Sequence, residues 1–264
     1  MKPGMDPGIT GQKSEPDRTF RCEDLTVTYG PFVALNGTTL SLAQGFITSV
    51  IGPNGAGKTT LINALCGLVP VARGEVYLDG QRVTHLPPHR RARLGIARSF
   101  QIVNIFRGMT VKQNFEVAAQ AQGFEVQPFW RTTASFPQLA NRAQEVMELV
   151  GLSGRSGDAA DGLSHGEQRA LEMGLSLVAN PRVLLLDEPL AGVGHGNLEN
   201  MIDLIRRVSV GRTVLLVEHN MDAVMSLSHE VFVMTEGSVL AHGSPEKIRL
   251  DERVRIAYLG RTPS

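Results

Sequence analysis

Short apolar runs alternate with polar turns through the first third of the chain. Leu25–Tyr29 and Thr38–Leu42 cluster or alternate β-formers, Phe46–Ile51 is an apolar run stopped by Gly52, and Gly74–Leu78 is closed by Asp79-Gly80. Branched and aromatic residues bounded by such turn dipeptides predict short strands, here an antiparallel layer leading into a buried parallel strand. The middle of the chain changes character. Thr110–Gln122 and Leu139–Val150 space apolar residues three and four apart among Ala, Gln and Glu, which predicts helices. Between them lies Gly123–Pro137, with Trp130 and several Phe, for which core packing is the default reading. Residues 101 to about 162 are therefore expected to form a helical subdomain inserted into a larger α/β core. In the last third, Val183–Leu186, Thr213–Val217 and Val231–Met234 read as strands, and Asn197–Val208, Met221–Leu227 and Pro245–Leu250 as helices. Strands alternating with helices predict a parallel sheet covered on both faces.

Composition narrows this picture only a little. A chain of 264 residues, 42% hydrophobic, can bury a full core and suits one compact unit with an insert better than two domains. Its 26 basic and 26 acidic side chains cancel, which argues against a nucleic-acid partner. The local cluster His89-Arg-Arg-Ala-Arg93 is read as a solvated helix face. Cys22 and Cys66 lack metal-ligand spacing and are expected to behave as small buried hydrophobes. The charge-free run Leu25–Gly57 is interrupted throughout by Gly, Thr, Ser, Asn and Pro, so it does not predict a membrane span. Residues 1–19 are polar and rich in Gly and Pro, without the apolar centre of a secretory signal, and are expected to be a disordered tail. Residues 261–264 are expected to form a second tail.

The candidate chemistry starts at Gly52. Gly52-Pro-Asn-Gly-Ala-Gly-Lys-Thr-Thr60 fits the phosphate-loop pattern G-x-x-x-x-G-K-[ST], between an apolar strand and a plausible helix. Its glycines let backbone N–H groups curl around phosphate oxygens, and the helix N-terminus adds its positive dipole end. Asn54, Gly55, Ala56, Gly57, Lys58, Thr59 and Thr60 are the expected nucleotide contacts. Lys58 would neutralise β- and γ-phosphates, and the Thr59 hydroxyl would ligate Mg2+. A second acidic element follows Val183-Leu-Leu-Leu at the strand end where parallel sheets place ligands. There Asp187 is the candidate Mg2+ ligand and Glu188 the candidate general base.

Three further segments resemble ABC ATPases. Leu163-Ser-His-Gly-Glu-Gln168 looks like the family's signature sequence, usually LSGGQ, at the head of a helix. Phe100-Gln101 resembles its Q-loop, and Val217-Glu-His-Asn220 its switch-histidine segment. Motif order and spacing agree from about residue 20 to 260, so a single ABC ATPase domain is expected there. The resemblance implies an α/β fold: a P-loop NTPase core with a mixed sheet, an antiparallel β-layer and the inserted α-helical subdomain. It implies ATP and Mg2+, and a head-to-tail pair with a second ATPase subunit, as a homodimer or a heterodimer. Ser164 and the Gly166 backbone would contact the γ-phosphate bound by the partner. Tyr29 would stack on adenine, Gln101 would sense Mg2+ and the attacking water, and His219 would contact the γ-phosphate and orient Glu188. Two segments depart from the pattern. His165 and Glu167 stand where LSGGQ has Gly and Gln, and Gly194 stands where many D-loops have Asp.

Leu163-Ser-His-Gly166, Asp187-Glu-Pro-Leu-Ala-Gly192, Gly95–Gln101 and the ending Arg255-Ile-Ala-Tyr-Leu-Gly260 resemble ATPase subunits of branched-chain amino acid importers. Related urea and amide importers share this style, and lipopolysaccharide-export ATPases carry similar motifs. The importer resemblance implies transmembrane permease subunits and, indirectly, a periplasmic or extracellular substrate-binding protein. It places the chain in the cytoplasm, peripheral on the inner face of the membrane. A soluble, non-transport ABC ATPase is the rival class.

Overall fold

The computed structural model describes residues 17–99, 105–122 and 137–259. Gln101, Trp130 and most of the stretch between the two middle helices lie outside the described residues. The chain opens on two long antiparallel strands, β1 (Arg18–Tyr29) and β2 (Phe32–Ala43), followed by β3 (Ile47–Ile51) and helix α1 (Lys58–Cys66). Next come β4 (Arg73–Leu78), β5 (Gln81–Arg82), α2 (Pro88–Arg93) and β6 (Ile96–Ser99). The middle supplies α3 (Val111–Gln122), α4 (Pro137–Leu149) and α5 (His165–Leu177). The last third contains β7 (Val183–Asp187), α6 (Leu198–Ser209), β8 (Thr213–Val217), α7 (Met221–Leu227), β9 (Glu230–Thr235) and β10 (Ser238–Gly243). It ends on α8 (Pro245–Leu250) and α9 (Glu252–Leu259).

Two sheets result. One has the order β2-β1-β4-β5, all antiparallel neighbours, and is the expected β-layer. The other has the order β10-β9-β3-β8-β7-β6, parallel except for the β10–β9 edge pair. The apolar runs of β7 and β8 are continuous because both faces of this sheet are covered. Leu184, Leu186, Val214 and Leu216 point into a cluster with the helices α3 to α6. The alternate residues Val183, Leu185, Leu215 and Val217 point into a second cluster with α1 and the β-layer.

The structure departs from the sequence reading at four places. β1 and β2 are not short: β1 begins at Arg18 and β2 at Phe32, because cross-strand partners carry the pairing through polar positions such as Arg21↔Ser41. β6 and β10 were not expected at all; β6 is only four residues with polar Arg98 and Ser99, too short to show a period. The helical layer runs on past residue 162, since α5 packs on α3 so closely that a Cβ on Gly174 would lie 2.7 Å from the Phe115 ring. The basic cluster of α2 is not wholly solvated. Arg91 is 2% exposed, and its guanidinium donates to the carbonyls of Ala64 and Leu65 at 2.7 Å each, Thr84 at 2.7 Å and Leu86 at 3.0 Å. Two of these acceptors belong to the last turn of α1, where the Ala64 carbonyl also accepts from the capping Gly67 N–H at 3.1 Å.

Candidate active site

β3 ends at Ile51 and α1 begins at Lys58, so the glycine-rich turn hangs between a buried strand and a helix N-terminus. Its backbone admits no side chain at two points. A Cβ on Gly52 would lie 2.3 Å from the Met234 carbonyl oxygen. Gly57 sits at φ +97°, and its Cβ would lie 2.6 Å from the Ala34 carbonyl oxygen. The loop encloses a cavity of about 230 Å3 lined by Asn54, Gly55, Ala56, Gly57, Lys58, Thr59 and Thr60, with Phe32, Ala34, Glu188 and His219 across from them. All seven expected loop residues therefore converge with Glu188 and His219. The Lys58 ammonium donates to the carbonyls of Gly52 at 2.8 Å and Pro53 at 3.0 Å. Burial pushes its pKa down, and the Glu188 and Asp187 carboxylates oppose that.

At the tip of the β1–β2 hairpin, Tyr29 does not line the loop cavity. Tyr29 and Phe32 face each other across the β1–β2 pair and both are exposed, but Phe32 is the aromatic that lines the loop cavity. Phe32 lies just past the turn Gly30-Pro31, and no periodicity singles it out.

Asp187 closes β7, fully buried on its side chain, with Oδ2 accepting from Arg98 Nη2 at 2.8 Å. Arg98 Nη1 donates to Asn63 Oδ1 at 2.5 Å, which fixes the guanidinium between α1 and β7. Burial raises the Asp187 pKa and Arg98 works against it. Its second oxygen, Oδ1, is buried and has no hydrogen-bond partner among the described residues. An orphaned, buried carboxylate oxygen whose charge reaches Lys58 fits a hard divalent cation, so the residues present suit Mg2+.

Glu188 follows in the left-handed region at φ +51°, uncommon for a residue with a side chain. Its N–H donates to Val217 O at 2.9 Å, pinning it to the end of β8. There its Oε1 lies 2.6 Å from His219 Nε2. Glu218, between β8 and His219, is 4% exposed and holds backbone N–H groups of Leu190, His219 and Asn220. Sequence reading missed Arg98 and Glu218. For Glu218 the only signal was a charge following the apolar run of β8, and Arg98 in the short polar β6 carried none.

Ser164 and Gly166 do not join this cavity. They line a separate one of about 350 Å3 with Asn197, Asn200 and Arg207 on its far wall. Ser164 caps α5: its Oγ accepts from Glu167 N–H at 3.3 Å, while Glu167 Oε2 accepts from Ser164 N–H and O–H at 2.8 Å each. The Glu167 departure thus reaches the Ser164 hydroxyl directly. These Ser164 bonds hold the Glu167 carboxyl below its usual range, with the Arg155 guanidinium at 2.7 Å adding to the effect. At the C-terminal end, Tyr258 of α9 bonds the Gly52 backbone, while burial pushes its phenol up to about 12.

Comparison with known proteins agrees with this geometry. Residues 35–191 match the family described as ABC transporter, and residues 238–262 the one described as branched-chain amino acid ATP-binding cassette transporter. The chain is 38% identical over 246 residues to the high-affinity branched-chain amino acid transport ATP-binding protein BraF of Pseudomonas aeruginosa, covering 89% of this chain and 95% of that protein. LivG of Escherichia coli, with the same description, is 38% identical over 245 residues, at 89% and 95% coverage. The lipopolysaccharide export ATP-binding protein LptB of Escherichia coli is 33% identical over 245 residues, at 92% and 97% coverage. The fold matches the crystal structure of an ATP-binding cassette of an ABC transporter in its ADP conformation, with TM-score 0.82 and 28% identity over 93% of this chain and all of that one. With a phosphate loop, an acidic pair and a capped signature helix in these places, the chain belongs to the ABC transporter family, as an ATP-binding and ATP-hydrolysing cassette.

Proposed function

We propose that this cassette powers an importer of branched-chain or other amino acids, as one of two ATPase subunits beneath transmembrane permease subunits. The observation that carries the mechanism is the convergence of residues 54–60, Glu188 and His219 on one cavity while Ser164 and Gly166 open onto another. One chain thus holds the phosphate donors and the hydrolytic pair, and the signature contacts come from a second subunit. The substrate class is supported by the descriptions of BraF and LivG and by the match at residues 238–262. A periplasmic or extracellular binding protein would deliver the substrate. No helix among the described residues is long and apolar enough to cross a membrane. In this reading the cassette is held at the cytoplasmic face by the permease.

In this reading the Lys58 ammonium exchanges its two loop carbonyls for β- and γ-phosphate oxygens. Backbone N–H groups at the α1 N-terminus complete the cradle. Glu188 accepts the proton of the attacking water, and His219 Nε2 holds that carboxylate in place and meets the γ-phosphate. Thr59 and Asp187, with Gln101, would hold Mg2+, which supplies charge neutralisation at the phosphates when bound. ATP closes the two-subunit sandwich, hydrolysis reopens it, and the permease is driven between inward- and outward-facing states.

The test is affinity capture of the chain from detergent-solubilised membranes of its host, with mass spectrometry of the co-purified proteins. Multi-span subunits with an ATPase pair and a binding protein that takes branched-chain amino acids support the reading. Recovery of lipopolysaccharide-export subunits, or of soluble partners only, overturns it. A second check concerns the base platform. Phe32→Ala is expected to raise KM for ATP roughly tenfold, from about 1–1.5 kcal/mol of lost ring contact. Tyr29→Ala should change it less. The reverse order in steady-state kinetics would restore Tyr29 as the stacking residue.

A further inference from the structure

Glu218 is a carboxylate buried to 4% exposure at the end of β8, and among the described residues its hydrogen bonds all come from backbone N–H groups. Oε1 accepts from Leu190 at 2.8 Å; Oε2 accepts from His219 at 2.9 Å and from Asn220 at 3.4 Å. Burying a carboxylate is costly without such donors, and burial does raise this one's pKa against the pull of the three N–H groups. An apolar residue would fill the same space at the strand end but would leave the N–H groups of Leu190, His219 and Asn220 without this acceptor. The carboxylate therefore has a task beyond filling the core.

Its contacts show what it joins. Leu190 opens the loop that runs on through Gly192 and Gly194, two residues after Glu188. His219 is the residue whose ring meets Glu188 at 2.6 Å. Asn220, the third donor, caps α7 by accepting from Ala223 N–H at 3.0 Å. One side chain thus fastens the loop after the general base to the segment bearing the histidine, and both to a helix start. We propose that Glu218 is a positioning residue. It sets the Glu188–His219 separation and passes displacement of the 190–194 loop to that pair. This rests on the proposed hydrolytic roles of Glu188 and His219.

The experiment uses the full chain and compares Glu218→Gln and Glu218→Asp with the wild type, with Glu188→Gln as a control. The glutamine amide turns donors toward N–H groups, and the aspartate is one methylene too short to span both segments. Glu218→Gln is expected to lower kcat about a hundredfold, as misplacement of a catalytic pair does, with ATP affinity close to the wild type and only a modest drop in melting temperature from the donors left facing each other. Glu218→Asp should fall between. The 15N signal of His219 Nε2 should move in both variants toward that of Glu188→Gln. Wild-type kcat and an unmoved His219 signal in Glu218→Gln would overturn the proposal. So would a parallel loss of ATP affinity, melting temperature and kcat, which marks a purely structural role. Retained turnover in Glu188→Gln would overturn the hydrolytic reading itself, separately from Glu218.

Discussion

Glu188→Gln binds ATP with near-wild-type affinity and loses turnover by about a thousandfold, within the usual range for removing a general base. The substitution keeps the size of the side chain. The backbone stays pinned as before, because its fastenings to Val217 O and from Ala191 N–H are main-chain bonds at 2.9 and 3.0 Å. What changes is the proton acceptor. An amide oxygen 2.6 Å from the His219 ring can still accept a hydrogen bond there, but it cannot take a proton from water. The proposed nucleotide contacts are made by residues 54–60, elsewhere in the lining of the cavity, and the substitution leaves those residues in place. The loss therefore appears in kcat and not in binding. Phosphate release under saturating ATP, together with equilibrium binding of a fluorescent ATP analogue, separates the two. Hydrolysis within a few-fold of the wild type would move the base role away from Glu188.

Arg91→Ala destabilises the fold by about 3–5 kcal/mol without touching the nucleotide cavity. The guanidinium donates to four carbonyls, from the end of α1 and from the segment between β5 and α2. Removing it leaves buried acceptors without donors and opens a void beneath Gly67. That glycine ends α1 at φ +76°, and a Cβ there would lie 2.8 Å from Arg91 Nε, so helix end and guanidinium are fitted to each other. Such a loss lowers the melting temperature on the order of 10 °C for a domain of this size. Arg91→Lys restores the charge but offers a compact ammonium in place of a planar fork, so it recovers only part of the stability. Thermal unfolding of both variants checks this. An unchanged melting temperature for Arg91→Ala would mean that the carbonyls find other donors.

Much of the site was legible because its chemistry is local. The loop from Gly52 to Thr60 needs glycines at fixed offsets and a lysine at the helix start, and those requirements are written in consecutive residues. The same holds for β7, where an apolar run ending in Asp187-Glu188 announces both a doubly covered strand and an acidic pair. The bounds of β8, α7 and α8 were also readable, at Thr213–Val217, Met221–Leu227 and Pro245–Leu250, because each has a sharp polar or glycine boundary. The family resemblance added His219, which now stands against Glu188.

Other features could not be assigned from their neighbours in the chain. Arg98 reads as a charge in a short strand until Asp187, 89 positions later, is brought to 2.8 Å. Arg91 reads as one of several surface cations until the end of α1 is folded beneath it. Glu218 reads as a polar strand end until the Leu190 loop arrives. Phe32 and Tyr29 cannot be ranked until the β1–β2 hairpin is set over the phosphate loop.

The division follows from the range of the forces involved. Backbone conformation, capping and the spacing of phosphate donors depend on neighbours within a turn or a strand, and the sequence by itself determined those here. Burial of a charge depends on which distant backbone groups arrive to satisfy it. Arg91, Arg98 and Glu218 took their roles only once the tertiary structure supplied carbonyls, a carboxylate and N–H groups from remote parts of the chain.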